Sequence, residues 1–505
     1  MRKPKGAKTM FYKSTRNQLI EVSASKAIAQ GISEEGGLFI PCEIPKIKKS
    51  ELKSLVGKSY TQLASEILKK YLTDFTDEEI AHCVSGAYVG TFDTEDVVTY
   101  ADLEGKGYIM ELWHGPTCAF KDVALQILPY LLTTSVKKVG IDKEVVILVA
   151  TSGDTGKAAL EGFKDVDGTK IMVFYPEDGV SAMQKLQMVT QEGSNVSVCA
   201  IKGNFDDAQT GVKKIFTDSG VAKTLSDNGL MFSSANSINW GRLLPQIVYY
   251  VYSYTNLVGE GKIEFGDEIN VVVPTGNFGN ILAAYYAKKM GVPIKTLICA
   301  SNANNVLTDF INTGVYDRNR EFHTTISPSM DILISSNLER LIYHLRGSDK
   351  IVAKLYTELS KTGRFEVCNT VKKGLAKSFF ADYSDDAETM ATIKEVFDTY
   401  SYTIDTHTAV AYSVYNKYVA KTGDTTPTVI ASTASPYKFS SSVLEALDKN
   451  VDGLDEFGLT QELNAISKMP VPKSLSELSG KEVRFVGSIE KESMQDYVFE
   501  TLGIK

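Results

Sequence analysis

The run Glu144-Val145-Val146-Ile147-Leu148-Val149-Ala150 limits the possible folds of this chain more than any other stretch. After one acidic residue it is apolar without a break and rich in β-branched side chains. A strand with no polar alternation leaves no face for water. It must be covered on both sides, which is the situation of a parallel sheet layered by helices.

The same pattern repeats from about residue 107 onward. Short strand-like runs at Ile171–Tyr175, Asn195–Ile201, Ile269–Pro274, Lys295–Ala300 and Thr428–Ser432 alternate with helix-compatible stretches such as Ser181–Glu192 and Arg242–Leu257. Such alternation predicts βαβ units. The chain before residue 100 differs. It reads as mainly helical, with Leu63, Ile67, Leu68 and Leu72 on one helical face. A Gly36-Gly37 turn there leads into the extended run Leu38–Pro41. The chain has 505 residues, and domains of roughly 150 residues are common, so several units are expected. The expected division is a helical N-terminal region (1–100), one α/β unit (101–245) and a second (246–505).

Composition excludes several classes of function. With 43% hydrophobic and 23% charged residues the chain suits a soluble globular protein with a large core. No apolar run approaches the roughly 18 residues needed to span a bilayer. A formal net charge of −8 disfavours nucleic-acid binding while permitting one small basic pocket. Cys42, Cys83, Cys118, Cys199, Cys299 and Cys368 are widely spaced and form no CxxC pair, and there is no HExxH. Neither a disulfide framework nor a metal site is expected. The basic N-terminus lacks the apolar stretch of a signal peptide, so the expected location is cytoplasmic. No obligate protein partner is expected.

Two glycine-rich loops each follow a strand. Ala150-Thr151-Ser152-Gly153-Asp154-Thr155-Gly156-Lys157 fails as a nucleotide P-loop, because Thr151 stands where glycine is needed and Ala158 where a magnesium-binding hydroxyl is needed. Val273-Pro274-Thr275-Gly276-Asn277-Phe278-Gly279-Asn280 has two glycines, not the three of a dinucleotide fingerprint. What remains is a strand ending in small polar residues at a helix start, which aims backbone N–H groups at an anion. This suits a terminal phosphate with no nucleotide; a simple packing turn is the competing reading.

In Glu111-Leu112-Trp113-His114-Gly115-Pro116-Thr117-Cys118-Ala119-Phe120-Lys121-Asp122, Lys121 stands where a bent loop enters the apolar helical stretch Val123–Leu132. A lysine so placed is either a solvated surface charge or a desolvated amine suited to carbonyl chemistry. The string His114–Asp122 resembles the cofactor-lysine motif HGPTxAFKD of threonine synthases. Further motifs of that family follow in order: Thr151–Gly156; Asn236-Ser237-Ile238-Asn239 with Arg242; Pro274–Asn280; and Thr433-Ala434-x-Pro436-x-Lys438-Phe439. Tyr12-x-Ser14-Thr15-Arg16 and Gly36-Gly37-Leu38 also fit, so the resemblance covers essentially the whole chain.

The resemblance implies an α/β fold like that of the tryptophan synthase β-subunit: two parallel-sheet domains with pyridoxal 5'-phosphate between them, plus the N-terminal helical region. Lys121 would carry the cofactor as a Schiff base, with Phe120 beside the ring. Gly276, Asn277, Phe278, Gly279 and Asn280 would hold the cofactor phosphate, and Thr433 would face the pyridine nitrogen. Thr151, Ser152 and Thr155 would receive a substrate carboxylate, with Asp154 bracing their loop. Asn236, Ser237, Asn239 and Arg242 would receive a substrate phosphate, for which an arginine fork is well shaped. The competing use of Arg242 is an interdomain ion pair. Lys185 could reach a phosphate, but a helical lysine of this kind is ordinarily solvated. His407 reads first as a structural, hydrogen-bonded histidine. Ser435 departs from the family, in which histidine is common.

The implied reaction converts O-phospho-L-homoserine and water to L-threonine and phosphate. The alternatives are a phospholyase yielding a keto acid, ammonia and phosphate, or a non-catalytic protein that binds a phosphorylated metabolite.

Overall fold

The computed structural model describes residues 9–504 except Lys106, Ser152, Gly179 and Ser181. Two parallel sheets organise it. The larger runs Phe379–Tyr383, Ile294–Ser301, Ile269–Pro274, Thr428–Ser432, Tyr108–Glu111, Thr99–Asp102, and only the last pairing is antiparallel. The smaller runs Ser488–Glu490, Val196–Lys202, Thr169–Pro176, Glu144–Ala150, Leu230–Ser233, all parallel. Strand Ile269–Pro274 is buried along its whole length, as expected of a strand covered on both faces. The fold is the expected one, and each strand anticipated between residues 144 and 432 is present, with ends shifted by a residue or two.

The sheets do not follow the linear division into 1–100, 101–245 and 246–505. Strand Tyr108–Glu111 pairs in the larger sheet with Thr428–Ser432, and Thr99–Asp102 adds to its free edge. Residues 488–490 return to pair with Val196–Lys202. Pairing satisfies backbone groups wherever an edge is open, so neighbours in a sheet need not be neighbours in sequence.

The N-terminal region holds the four helices Ala24–Gln30, Lys49–Ser54, Tyr60–Tyr71 and Asp77–Tyr88, with a small antiparallel sheet of Glu21–Ser23, Phe11–Ser14 and Phe39–Pro41. It packs on the long helix Trp240–Gly259, which is buried on nearly every side. Trp240, fully buried, is ringed by Tyr12, Tyr71 and Tyr286 at centroid distances of 5.4, 5.6 and 5.5 Å. Such aromatic contacts add roughly 0.5–1.5 kcal/mol each beyond the area they bury.

The apolar stretch expected as one helix over 123–132 is two, Lys121–Leu125 and Leu128–Lys138. Pro129 has no N–H to offer the Leu125 carbonyl and sits in the first turn of the second helix, where that lack is harmless. The Leu125 carbonyl instead lies against Gly162 of helix Asp154–Phe163, where an added Cβ would come within 2.1 Å of it. This close approach sets the lysine-bearing helix against the helix of the first glycine-rich loop. Gly162→Ala is therefore expected to force the two backbones apart and destabilise the fold by about 1–3 kcal/mol. An unchanged urea midpoint would show that the contact does not constrain them.

Candidate active site

The lysine segment is zipped to the end of strand Thr428–Ser432. Ala119 and Ala434 form an antiparallel bridge. The Phe120 N–H donates to the Thr433 carbonyl at 2.9 Å, and the Ser435 N–H to the Cys118 carbonyl at 3.0 Å. Lys121 thereby begins its helix at the carboxyl edge of the larger sheet, where open α/β folds place their ligands. Inside the segment, buried Asp122 accepts from the Thr117 N–H (2.8 Å) and hydroxyl (2.7 Å). Burial pushes the Asp122 carboxyl up to about 6, against the opposing effect of those bonds.

Lys121 is largely buried, its side chain 13% exposed. Its Nζ donates to Ser329 Oγ at 3.3 Å and stands 3.9 Å from Asp154 Oδ2. Burial lowers its pKa; Asp154 opposes this, while Lys438 and Arg242 add to the lowering. The sequence reading assigned Lys438 no role, although it stands in the quoted Thr433–Phe439 motif. It is deeply buried, pairs with Asp154 Oδ1 at 2.7 Å and donates to the Thr117 carbonyl at 2.8 Å. Burial alone would raise the Asp154 pKa, but Lys438 and Lys121 hold it well below the usual carboxylate range. Gln184 adds a bond of 3.2 Å to the same carboxylate.

Thr151 is buried and folds its own loop. Its hydroxyl accepts from the Gly153 and Gly156 N–H groups, both at 3.0 Å, at the head of helix Asp154–Phe163. Thr155 is half-buried beside it, and Ser152 lies outside the described residues.

The second glycine-rich loop turns at Phe278, whose φ of 63° is left-handed, into helix Gly279–Met290. Gly276 crosses Ser329 so closely that a Cβ would lie 2.7 Å from the Ser329 carbonyl. The lysine amine and this loop thus meet on two sides of Ser329. Ser329 is held in turn by its N–H donating to His407 Nε2 at 3.2 Å, and His407 Nδ1 bonds Asp405 at 2.8 Å. His407 is buried and hydrogen-bonded.

Arg242 is 4% exposed, and its Nη1 donates to the Ala235 carbonyl at 2.6 Å. No described carboxylate pairs with it, and burial lowers its pKa to about 10. Asn239 is committed elsewhere: its Oδ1 caps helix Trp240–Gly259 through the Gly241 N–H, and its Nδ2 bonds the Ile28 and Ser234 carbonyls. Asn236 is exposed, Ser237 half-buried, and Lys185 exposed. Polar atoms in these segments are left over by the protein's own bonding. Arg242 Nε, Asn280 Nδ2 and Ser435 Oγ are buried with no hydrogen-bond partner among the described residues. Leaving such atoms unmet costs about 1–3 kcal/mol each, which a bound polar group recovers.

Three family models match in sequence order: "Threonine synthase N terminus" over residues 11–88, "Pyridoxal-phosphate dependent enzyme" over 99–361 and "Threonine synthase, C-terminal" over 408–498. Threonine synthase of Saccharomyces cerevisiae is 34% identical over 98% of this chain and 98% of its own. The crystal structure of PLP-bound threonine synthase from Brucella melitensis superposes with a TM-score of 0.86 at 34% identity, covering 97% of this chain and 99% of that one. The chain belongs to the threonine synthase family.

It is also 41% identical to human Threonine synthase-like 1 over 84% of its own length, but it spans only 58% of that longer protein. The family model over residues 99–361 is that of pyridoxal-phosphate-dependent enzymes. The chain's residues fit the cofactor: a desolvated lysine, and a turn into a helix closed by Gly276, with Asn280 Nδ2 buried and without a described partner while its Oδ1 accepts from Tyr250. Thr433 is 7% exposed, and its carbonyl accepts from the Phe120 N–H.

The threonine synthase motif also contains a pH-sensitive clasp. His114 stacks on Trp113 at 4.4 Å and bonds Asp93 at 2.7 Å and Glu111 at 3.1 Å. Burial would lower its pKa, but the two carboxylates outweigh burial and raise it from 6.5 to about 9. A proton held more tightly in the folded state stabilises fully below the unfolded pKa, and the benefit is lost as pH rises through the folded value. Urea midpoints should therefore fall more steeply for the parent than for His114→Gln between about pH 7 and pH 9. Parallel curves would refute the clasp.

Proposed function

We propose that the chain converts O-phospho-L-homoserine and water to L-threonine and phosphate. The observation that carries this reading is Arg242, a buried guanidinium with no described counter-ion, an unpartnered Nε and an electrostatic influence on Lys121. A buried charge without a partner is costly, and a substrate phosphate supplies the partner.

Bound pyridoxal phosphate supplies the electron sink for negative charge developing on the substrate carbons. Lys121 Nζ takes the proton from Cα, then moves protons at Cβ and Cγ. Its burial, with Lys438 and Arg242 nearby, favours the neutral amine this requires. The Thr151–Thr155 loop receives the substrate carboxylate at the N-terminus of helix Asp154–Phe163. Lys438 neutralises Asp154 there, so the loop does not repel that carboxylate. Arg242, Asn236 and Ser237 hold the phosphate as it departs, and Asn239 fixes the segment from which they project.

Product identification tests the reading. Holoenzyme mixed with phosphohomoserine is expected to yield threonine and phosphate in equal amounts, and Lys121→Ala to lower the rate by at least about 10³-fold. A keto acid and ammonia in place of threonine would overturn the assignment in favour of a phospholyase.

A further inference from the structure

Neither glycine-rich loop nor the Asn236–Arg242 segment accounts for Ser335-Ser336-Asn337, which the structure inserts between them. Ser335 Oγ donates to the Gly276 carbonyl at 2.8 Å. Ser336 Oγ donates to Asn277 Oδ1 at 3.2 Å and lies 3.5 Å from Ser237 Oγ. Asn337 donates from its backbone N–H and from Nδ2 to the Asn277 carbonyl, both at 3.1 Å.

Three helices begin around this point: Trp240–Gly259 after Ser237, Gly279–Met290 after Asn277, and Leu338–Arg346 after Ser336. Helix starts favour negative charge, and here three do so together. Arg242 Nε, buried and with no partner among the described residues, lies in the first turn of one of them, and Asn280 Nδ2, in the first turn of another, is left to the cofactor's own phosphate. Ser336 and Ser237 are half-buried, so neither is sealed from solvent, and their hydroxyls lie 3.5 Å apart.

The third helix is rigidly held. Arg340, fully buried, donates to Asn337 Oδ1 (2.5 Å), the Ile238 carbonyl (2.6 Å) and the Phe39 carbonyl (3.0 Å). Neighbouring Glu339 accepts from Arg16 at 2.6 Å and from the Thr15 hydroxyl. One guanidinium therefore ties the N-terminal sheet, the Asn236–Arg242 segment and the Ser336 turn together.

We propose that Ser336 is a specificity-determining ligand of the substrate's phosphate, with Arg340 as the residue that positions its turn. The inference rests on the reading that the substrate carries a phosphate. Its test uses inorganic phosphate as probe on the holoenzyme, in which the cofactor's own phosphate site is filled. Ser336→Ala is expected to weaken phosphate binding, measured by calorimetry, by about five- to tenfold, and to raise the KM for phosphohomoserine by a similar factor. Ser336→Thr should restore both, and the visible cofactor absorbance should stay the same in all three proteins.

Parent-like phosphate affinity in Ser336→Ala would overturn the proposal. So would a loss of cofactor absorbance that tracks the loss of phosphate binding, because Ser336 would then act only through the Asn277 loop. Weakened phosphate binding in an enzyme that makes no threonine would uphold Ser336 and defeat the reaction assignment alone.

Discussion

The antiparallel seam between residues 118–120 and 433–435 is the interaction on which the rest of the site depends. Two backbone bonds, from Phe120 and Ser435, make the Ala119–Ala434 bridge and hold the lysine loop to the end of a central strand. Backbone bonds of this kind are directional and buried, so their loss would leave polar groups unmet in the core. They convert a loop, which would otherwise be mobile, into part of the sheet. Lys121 inherits the position of the sheet edge, with Thr433 brought beside it.

Charge is then arranged around that fixed amine. Lys121, Lys438 and Arg242 are three buried cations, and Asp154 is the carboxylate shared between the two lysines. Such a pocket is short of negative charge. Pyridoxal phosphate and the proposed anionic substrate would make good the shortage, and the same arrangement keeps the lysine's proton affinity low. Asp154 meets part of the cost of burying the two lysines, while Arg242 has no described carboxylate partner.

Much of this was legible in the chain. Unbroken apolar runs such as Val145–Ala150 and Val271–Pro274 identify parallel strands because burial on both faces leaves no polar alternation. The small polar residues after two of the strands mark helix starts suited to an anion, and the lysine motif marks an amine that the fold buries. Legibility failed where a residue's role depends on a distant partner. Lys438 stands in a recognised motif, but nothing local says that it reaches Asp154. Asn239 has the composition of a ligand and is used as a helix cap. Ser336 and Arg340 carry no local signal, because their meaning lies in the two segments they join.

The sequence by itself determined the class of sheet, the family and its cofactor, and it singled out the lysine proposed as the reactive amine. These depend on local periodicity, turn chemistry and short motifs, which are properties of neighbouring residues. Only the tertiary structure decided that strands Thr99–Asp102, Tyr108–Glu111 and Ser488–Glu490 cross into sheets built from distant parts of the chain. It also decided which polar side chains are consumed by internal hydrogen bonds and which remain open. Both outcomes come from satisfying buried polar groups across the whole molecule, a condition that no short stretch of sequence can express.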